Sequence, residues 1–150
     1  MRINDERKLK IKRVTDTAIV PEVKTNGSAG YDLCVDSSET IEIPPHKTVM
    51  AQTGLAFEIP DGYFGAIYAR SGVSTKRGIR PATCVSVIDS DYRGNVGLPL
   101  HNDTDEIRVV EPYERVAQMV LQKALVVDIE IVEDLNDTER GDGGFGSTGR

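Results

Sequence analysis

The stretch CVSVIDSDYRGNVGLPLHN, residues 84–102, indicates how the chain folds. A run rich in β-branched residues enters it, turn-forming Asp, Ser and Gly residues occupy its middle, and a second apolar run leaves it. This pattern predicts a β-hairpin. Because side chains alternate along an extended chain, we expect Asp89 and Asp91 to share a face near Tyr92 and Arg93. Two crowded carboxylates beside a ring and a guanidinium favour a functional tip over an acidic, solvated turn capped by Arg93.

The chain as a whole has 150 residues and a formal net charge of −6. Its length fits one domain, which we expect to span residues 1–150. The acidic balance disfavours binding to a nucleic-acid polymer, because such a protein needs a basic stripe to displace counterions from phosphates. An acidic protein can still bind a small anionic ligand if guanidinium groups at the binding site neutralise the charge of that ligand. The candidates are Arg70, Arg93, Arg115 and Arg140.

Two cysteines, Cys34 and Cys84, lie among apolar residues without metal-ligand spacing. We expect two buried, reduced thiols and therefore a reducing compartment. The N-terminal residues are charged and mixed, and no apolar run approaches the length of a signal or membrane-spanning segment. The sequence thus predicts a cytoplasmic protein without a membrane partner. His46 and His101 are isolated in sequence, and we expect surface or packing roles for them rather than ligation.

Short strand-like runs follow one another about every eight to twelve residues, separated by Pro or Gly, and no long helical period occurs. This spacing predicts an all-β sandwich or barrel, and we favour a jelly roll. Asp32 falls inside one of the predicted strands, so it needs a partner or an edge position facing water. Strands are predicted at residues 9–14, 31–36, 40–43, 48–50, 55–59, 63–69, 106–110, 116–121 and 125–132.

Arg70, Ser71 and Gly72 follow the predicted strand at residues 63–69. With the short helical segment after them, they offer a guanidinium, a hydroxyl and backbone N–H groups to an anion. A serine that caps a surface helix explains the same residues, and the spacing does not match the phosphate loop of nucleoside triphosphatases. Gln118 interrupts a later apolar run, and its amide must find a hydrogen-bond partner in the backbone or in a ligand.

The tail RGDGGFGSTG, residues 140–149, is the second informative stretch. Fixing each backbone costs about 1 to 2 kcal/mol, and glycine loses most, so we expect residues 136–150 to form a mobile arm until a ligand binds. Phe145 can stack on a planar base, and Ser147 and Thr148 can donate to phosphate oxygens. A disordered linker end would usually lack the aromatic ring.

In order and spacing, five motifs of the chain resemble those of the homotrimeric deoxyuridine triphosphatases, the dUTPase family. The resemblance implies a distorted jelly-roll β-barrel and three subunits that share three active sites. It also implies hydrolysis of dUTP to dUMP and pyrophosphate, which supplies dUMP for thymidylate synthesis and keeps uracil out of DNA. The motifs are residues 29–36, 70–79, 87–94, 115–122 and 140–149.

The same resemblance assigns roles to individual residues. Asp89 would activate the water that attacks the α-phosphorus, Asp91 would support the hairpin, and Tyr92 would lie against the deoxyribose. Mg²⁺ would be chelated by the triphosphate, with no direct protein ligand. Asp32 would either contact the ion through a coordinated water molecule or brace the site. One subunit would supply the hairpin, a second the phosphate contacts and a third the tail. The implied substrate-binding residues are Arg70, Ser71, Gly72, Thr83, Ser86, Val87, Ile88, Asp89, Tyr92, Gln118, Arg140, Phe145, Gly146, Ser147 and Thr148.

The chain departs from the family pattern at two positions where the base would be read. Ser86 stands where glycine is usual, and Thr83 where some members have asparagine. Backbone recognition of uracil survives both changes if the strand geometry holds. Pro99 and His101 are also unusual, and Pro99 should sit where no ladder N–H is needed.

Two other functions compete with dUTP hydrolysis. The dCTP deaminases share the fold, but Asp-Ser-Asp-Tyr replaces the deaminase-type hairpin ending, which favours phosphate chemistry. A trimeric protein that senses a nucleotide and contacts a regulator would hold its ligand without turnover, yet Asp89 and the whole tail are present. An additional regulatory protein partner is compatible with the sequence, although nothing in it supports one.

Overall fold

The computed structural model describes residues 8–144. Strands dominate this part of the chain, which confirms the all-β prediction, and the helix within it is short. The elements are β1 (Lys10–Arg13), β2 (Tyr31–Cys34), β3 (Ile41–Ile43), β4 (Thr48–Gln52), β5 (Leu55–Glu58), β6 (Tyr63–Ala69), α1 (Ser71–Arg77), β7 (Ile79–Pro81), β8 (Ser86–Ile88), β9 (Gly97–Asn102), β10 (Arg108–Val110) and β11 (Arg115–Lys123). No helix within residues 8–144 is long and apolar enough to cross a membrane.

The strands pair antiparallel, and none of the described pairs joins two strands that are consecutive in sequence. The largest sheet has the order β2-β11-β6-β8, and a second sheet has the order β4-β9-β7. Two further pairs, β1 with β5 and β3 with β10, complete the architecture. Every described sheet is therefore held together by contacts between distant parts of the chain.

The core is filled by the inward-facing residues of these sheets. In β9, Leu98 and Leu100 are fully buried and alternate with partly exposed neighbours, as the pleat of a strand requires. Asn102 continues the buried face, and its polar atoms are satisfied: Nδ2 donates to Ile43 O at 2.9 Å and to Glu106 O at 2.7 Å, while Oδ1 accepts from Thr104 N at 2.9 Å. A buried amide with this many partners carries no large desolvation penalty.

The predicted β-hairpin is wrong in its pairing. The incoming arm, β8, pairs with β6, whereas the outgoing arm, β9, pairs with β4 and β7. Backbone hydrogen bonds draw the start of the outgoing arm to the β4–β5 connection, because Val96 N donates to Leu55 O at 2.8 Å and Val96 O accepts from Thr53 N at 3.0 Å. The two arms consequently diverge into different sheets instead of closing on each other.

Two further expectations are corrected. The run predicted as a strand at residues 125–132 forms no strand within the described chain, and its apolar side chains are exposed, with Ile129 at 93% and Ile131 at 95%. A strand needs a hydrogen-bonded partner, and residues 125–132 pair with no strand of the described part of the chain. Both cysteines are free, as predicted, and Cys34 is buried, but Cys84 is exposed. Burial raises the pKa of the Cys34 thiol.

Candidate active site

A cavity opens between the two diverging arms, and we call it the tip cavity. Its volume is about 380 Å³, within the range of small-molecule sites. The incoming arm contributes three lining residues and the outgoing arm three more, while β4 supplies part of the wall. The lining residues are Met50, Gln52, Val87, Ile88, Asp89, Tyr92, Asn95, Val96 and Gly97.

The loop at the end of the tip cavity is held by its own hydrogen bonds. Tyr92 N donates to Asp89 O at 3.2 Å, and the Tyr92 hydroxyl donates to Asn95 O at 3.3 Å. Arg93 Nη1 donates to Ser90 O at 2.6 Å, so the guanidinium braces the tip. A Cβ on Gly94 would overlap the phenol of Tyr92, and glycine therefore lets the ring lie against the loop. Asp91 is exposed, and its supporting role stays a prediction.

The carboxylate of Asp89 is exposed at the tip cavity. Among residues 8–144, no Lys, Arg or His side chain forms an ion pair with it. Tyr92, with 45% of its surface exposed, lies along the same cavity. An unpaired carboxylate next to an aromatic ring is suited to accept a proton from water or from a sugar hydroxyl.

A second cavity, of about 410 Å³, lies around the start of α1, and we call it the arginine cavity. Its wall combines two guanidinium groups, a hydroxyl and an amide with one carboxylate, which suits a polyphosphate. Four of the residues predicted for phosphate binding line this cavity together with Asp32: Arg70, Ser71, Gly72 and Gln118. The lining residues are Asp32, Arg70, Ser71, Gly72, Val73, Arg77 and Gln118.

Asp32 has the partners that its place inside a strand requires. Arg70 Nε donates to Asp32 Oδ1 at 3.0 Å, and Arg115 Nη1 donates to Oδ2 at 3.3 Å. Arg70 Nη1 also donates to Arg115 O at 3.0 Å, which ties the two arginines together. Asp32 is thus neutralised by two guanidinium groups, and the cluster keeps an excess of positive charge for an anion.

Gln118 stands beside Asp32 because the two residues are paired in the β2–β11 register. Its Nε2 donates to Ala69 O at 3.0 Å, in agreement with the expectation of a backbone partner. A Cβ on Gly30 would lie 2.8 Å from Gln118 Oε1, so the amide rests directly on the glycine. Backbone on two sides therefore holds the Gln118 side chain in place.

The remaining predicted residues lie in several places. Thr83 and Ser86 flank the turn before Val87, and their hydroxyl groups bond to each other. Arg140 is exposed, and its Nε donates to Gly143 O at 2.7 Å. Four predicted residues, all in the tail, lie outside the described residues: Phe145, Gly146, Ser147 and Thr148.

Sequence reasoning missed lining residues that come from distant strands. Met50, Gln52 and Gly97 reach the tip cavity because β4 pairs with β9, placing Gln52 opposite Gly97. Lys24 lines a smaller cavity of about 240 Å³ that shares Asp32 and Gln118 with the arginine cavity. Long-range pairing of this kind leaves no local signal in the sequence.

The tip cavity and the arginine cavity have no lining residue in common. Within one chain, the carboxylate of Asp89 and the guanidinium group of Arg70 therefore line different cavities. Within residues 8–144, no group of three His, Cys, Asp or Glu side chains is placed to hold a metal ion.

An all-β chain that separates an aromatic, acidic cavity from an arginine-lined one has the features of an enzyme acting on a phosphorylated nucleotide. Residues 16–149 match the model of the dUTPase family, and the chain belongs to that family. It is 41% identical over 143 residues to deoxyuridine 5'-triphosphate nucleotidohydrolase of Hydrogenobaculum sp. (strain Y04AAS1), covering 95% of this chain and 98% of that protein. The corresponding protein of Nautilia profundicola is 44% identical, with 95% and 99% covered.

Solved structures agree with this assignment. The dUTPase of Staphylococcus bacteriophage 80alpha with dUPNHPP superposes with a TM-score of 0.86 at 29% identity, covering 95% of this chain and 99% of that chain. The jelly-roll prediction is confirmed by this likeness, and the chain is an enzyme that hydrolyses dUTP.

Proposed function

We propose that the chain converts dUTP to dUMP and pyrophosphate by attack of a water molecule on the α-phosphorus, with Asp89 as the general base. The contrast between two acids carries this proposal. Asp32 accepts a hydrogen bond from Arg70 on one carboxylate oxygen and from Arg115 on the other. Asp89 has no cationic partner among the described residues, so its lone pairs are available to orient a water and take its proton.

The arginine cavity is proposed to hold the phosphates. Arg70 and Arg115 share one carboxylate, so net positive charge remains to attract a polyanion. Ser71 and Gly72 add a hydroxyl and backbone groups at the same wall, and Gln118 is fixed at its edge. Guanidinium groups suit this task because their planar donors match phosphate oxygens in pairs.

The tip cavity is proposed to read the base and the sugar. β8 pairs with β6 along one edge and has no strand partner on the other edge among residues 8–144. Its free backbone groups, with those of Gly97 across the cavity, suit the edge of uracil. Cytosine carries a donor where uracil has an acceptor, so it would leave polar groups unpaired. Tyr92 would lie against the deoxyribose and exclude a 2'-hydroxyl.

A homotrimer with shared active sites is part of the proposal. The two cavities share no lining residue within one chain, which supports completion of each site by another subunit. The exposed apolar side chains of residues 125–135 support burial against a second copy. We propose a single domain, residues 1–150, whose arm at residues 136–150 closes over the site of a neighbouring subunit with Arg140 and the tail residues named above.

Mg²⁺ is proposed to arrive with the triphosphate. The arginine cavity offers one carboxylate, Asp32, and both its oxygens accept hydrogen bonds from arginines. Mg²⁺ in nucleotide sites keeps several waters and takes substrate phosphates with one or two carboxylates, so this donor set fits an ion that is already chelated. When bound, the ion would neutralise phosphate charge, and Asp32 would brace the arginines beside it.

In the cell, the reaction would supply dUMP for thymidylate synthesis and keep uracil out of DNA. The two free cysteines support a reducing, cytoplasmic setting.

The decisive assay measures pyrophosphate released from dUTP, dTTP, dCTP and UTP, and ammonia released from dCTP. We expect dUTP to be hydrolysed far faster than the other three, without ammonia. Ammonia from dCTP would move the chain to the deaminase class, and equal turnover of all four nucleotides would contradict the selective cavity.

Shared sites are tested by mixing two inactive chains. One carries Asp89→Asn, and the other ends after Asp137 and so lacks the tail. If subunits exchange, mixed assemblies should recover part of the activity, because some sites then combine an intact Asp89 with an intact tail. Light scattering that finds only monomers under active conditions would refute the shared-site proposal.

A further inference from the structure

The connection between β7 and β8 is closed by two hydroxyl groups. Thr83 Oγ1 and Ser86 Oγ bond to each other across the turn, and Val85 N donates to Thr83 O at 2.6 Å. Cys84 between them has a φ of 59°, a left-handed conformation that non-glycine residues rarely adopt. Residues 83–85 are exposed, so little packing holds this turn. Within the described residues, the hydrogen bond between the two hydroxyl groups is the side-chain interaction that spans this turn.

The turn lies between two anchored points. On one side, Ala82 N donates to Pro99 O at 2.7 Å, which ties the chain to β9. On the other side, Ser86 pairs with Ile67 and begins β8. The next residue, Val87, already lines the tip cavity. The turn therefore joins a segment tied to β9 directly to the strand that lines the tip cavity.

We propose that the Thr83–Ser86 hydroxyl pair determines base selectivity by holding the free edge of β8 at a fixed distance from Gly97. This inference rests on the proposed reading of uracil in the tip cavity. Because the two hydroxyl groups bond to each other, the base is recognised by backbone groups. A backbone N–H can only donate a hydrogen bond and a backbone carbonyl can only accept one, whereas a hydroxyl group can do both. When the pair is removed, the turn loosens, and a cytosine edge can be accommodated by a small shift of β8.

The test uses Thr83→Val, Ser86→Ala, the double variant and the conservative Thr83→Ser. The measured quantity is the ratio of kcat/KM for dUTP to that for dCTP. Each single loss should lower this ratio about two- to twelvefold, the range expected for one net hydrogen bond. The double variant should lower it no further, because both changes remove one interaction. Thr83→Ser keeps the hydroxyl and should keep the parent ratio.

Thr25→Val is the matched control. Thr25 and Ser28 form another hydroxyl pair, 2.8 Å apart and also three residues apart in an exposed turn, but away from the tip cavity. Its loss should leave the dUTP-to-dCTP ratio unchanged. Melting temperatures of all variants separate loss of selectivity from loss of stability, since a merely structural pair would lower Tm without changing the ratio.

An unchanged ratio in Thr83→Val and Ser86→Ala would overturn the proposal. Fully additive effects would also overturn it, because they would mean that each hydroxyl contacts the base by itself. Dissociation constants for dUMP and dCMP provide the same ratio without turnover. Parent protein that binds dUMP selectively but releases no pyrophosphate from dUTP would contradict the proposed hydrolysis while leaving the hydroxyl pair testable.

Discussion

Gly30→Ala is expected to weaken phosphate binding through Gln118. The added Cβ would lie 2.8 Å from Gln118 Oε1 and 3.4 Å from Gln118 Cβ, and the first distance is too short for a carbon against an oxygen. The φ of Gly30 is not positive, so alanine adds this contact without backbone strain. The amide must move, and the 3.0 Å bond from Gln118 Nε2 to Ala69 O is lost or lengthened.

The size of the effect follows from that one hydrogen bond. Its net worth is about 0.5–1.5 kcal/mol, which corresponds to about a two- to twelvefold change in an equilibrium constant. Because Gln118 lines the arginine cavity and not the tip cavity, the loss should fall on substrate binding. Steady-state pyrophosphate release should therefore show KM for dUTP raised by about this factor, with kcat changed less than about twofold.

Gly27→Ala provides the control for this prediction. Gly27 belongs to the same loop, and a Cβ there would have nothing within 4 Å, so KM should stay at the parent value. In a Gln118→Ala background, Gly30→Ala should have no further effect, since its target is gone. A parent-like KM in Gly30→Ala, or an undiminished effect without the Gln118 side chain, would refute the reasoning.

Three other outcomes are expected. Asp89→Asn should lower kcat at least about 100-fold while keeping dUMP affinity, because a positioned general base accelerates a reaction by about 10²- to 10⁴-fold. Turnover at the parent rate would exclude Asp89 as the base. Tyr92→Ala should change the dUTP-to-UTP preference more than the dUTP-to-dCTP preference in the same pyrophosphate assay, and the reverse order would contradict its place at the sugar. Alkylation at neutral pH followed by peptide mass spectrometry should modify exposed Cys84 and spare Cys34, since Cys34 is 8% exposed and burial raises its pKa; equal labelling would contradict the burial of Cys34.

Local chemistry in the sequence was sufficient to predict single elements. The strand expected at residues 63–69 is β6, with the same bounds, and the preceding Pro60-Asp61-Gly62 turn closes with a hydrogen bond from Tyr63 N to Pro60 O at 3.1 Å. Glycine at the third position of this turn supplies the positive φ of 77° that a side chain would disfavour. Signals of this kind act over a few residues, so a sequence read locally captures them.

Strand partners were not predictable in the same way. The hairpin expected at residues 84–102 has the right strands but the wrong pairing, because alternation shows which side chains face inward and not which strand lies alongside. For the same reason, the place of Gln52 in the tip cavity could not be predicted, because it depends on the pairing of β4 with β9. The position of Asp32 inside a predicted strand indicates that it needs a partner, but Arg70 and Arg115 lie beside it only because β11 pairs with both β2 and β6.

The strand expected at residues 125–132 shows that a local pattern does not identify the surface against which a segment packs. Its alternation of apolar and acidic residues is typical of a half-buried strand, yet Ile129 and Ile131 are almost fully exposed in the single chain. Burying an isoleucine side chain stabilises a protein by about 1.5–3 kcal/mol, which supports the proposal that these residues are buried against a second copy. Such a pattern predicts that one face of the segment is buried. It does not predict whether the covering surface belongs to the same chain or to another. The two cavities agree with the same interpretation, because the proposed general base, Asp89, and the proposed phosphate-binding residues line different cavities within one chain.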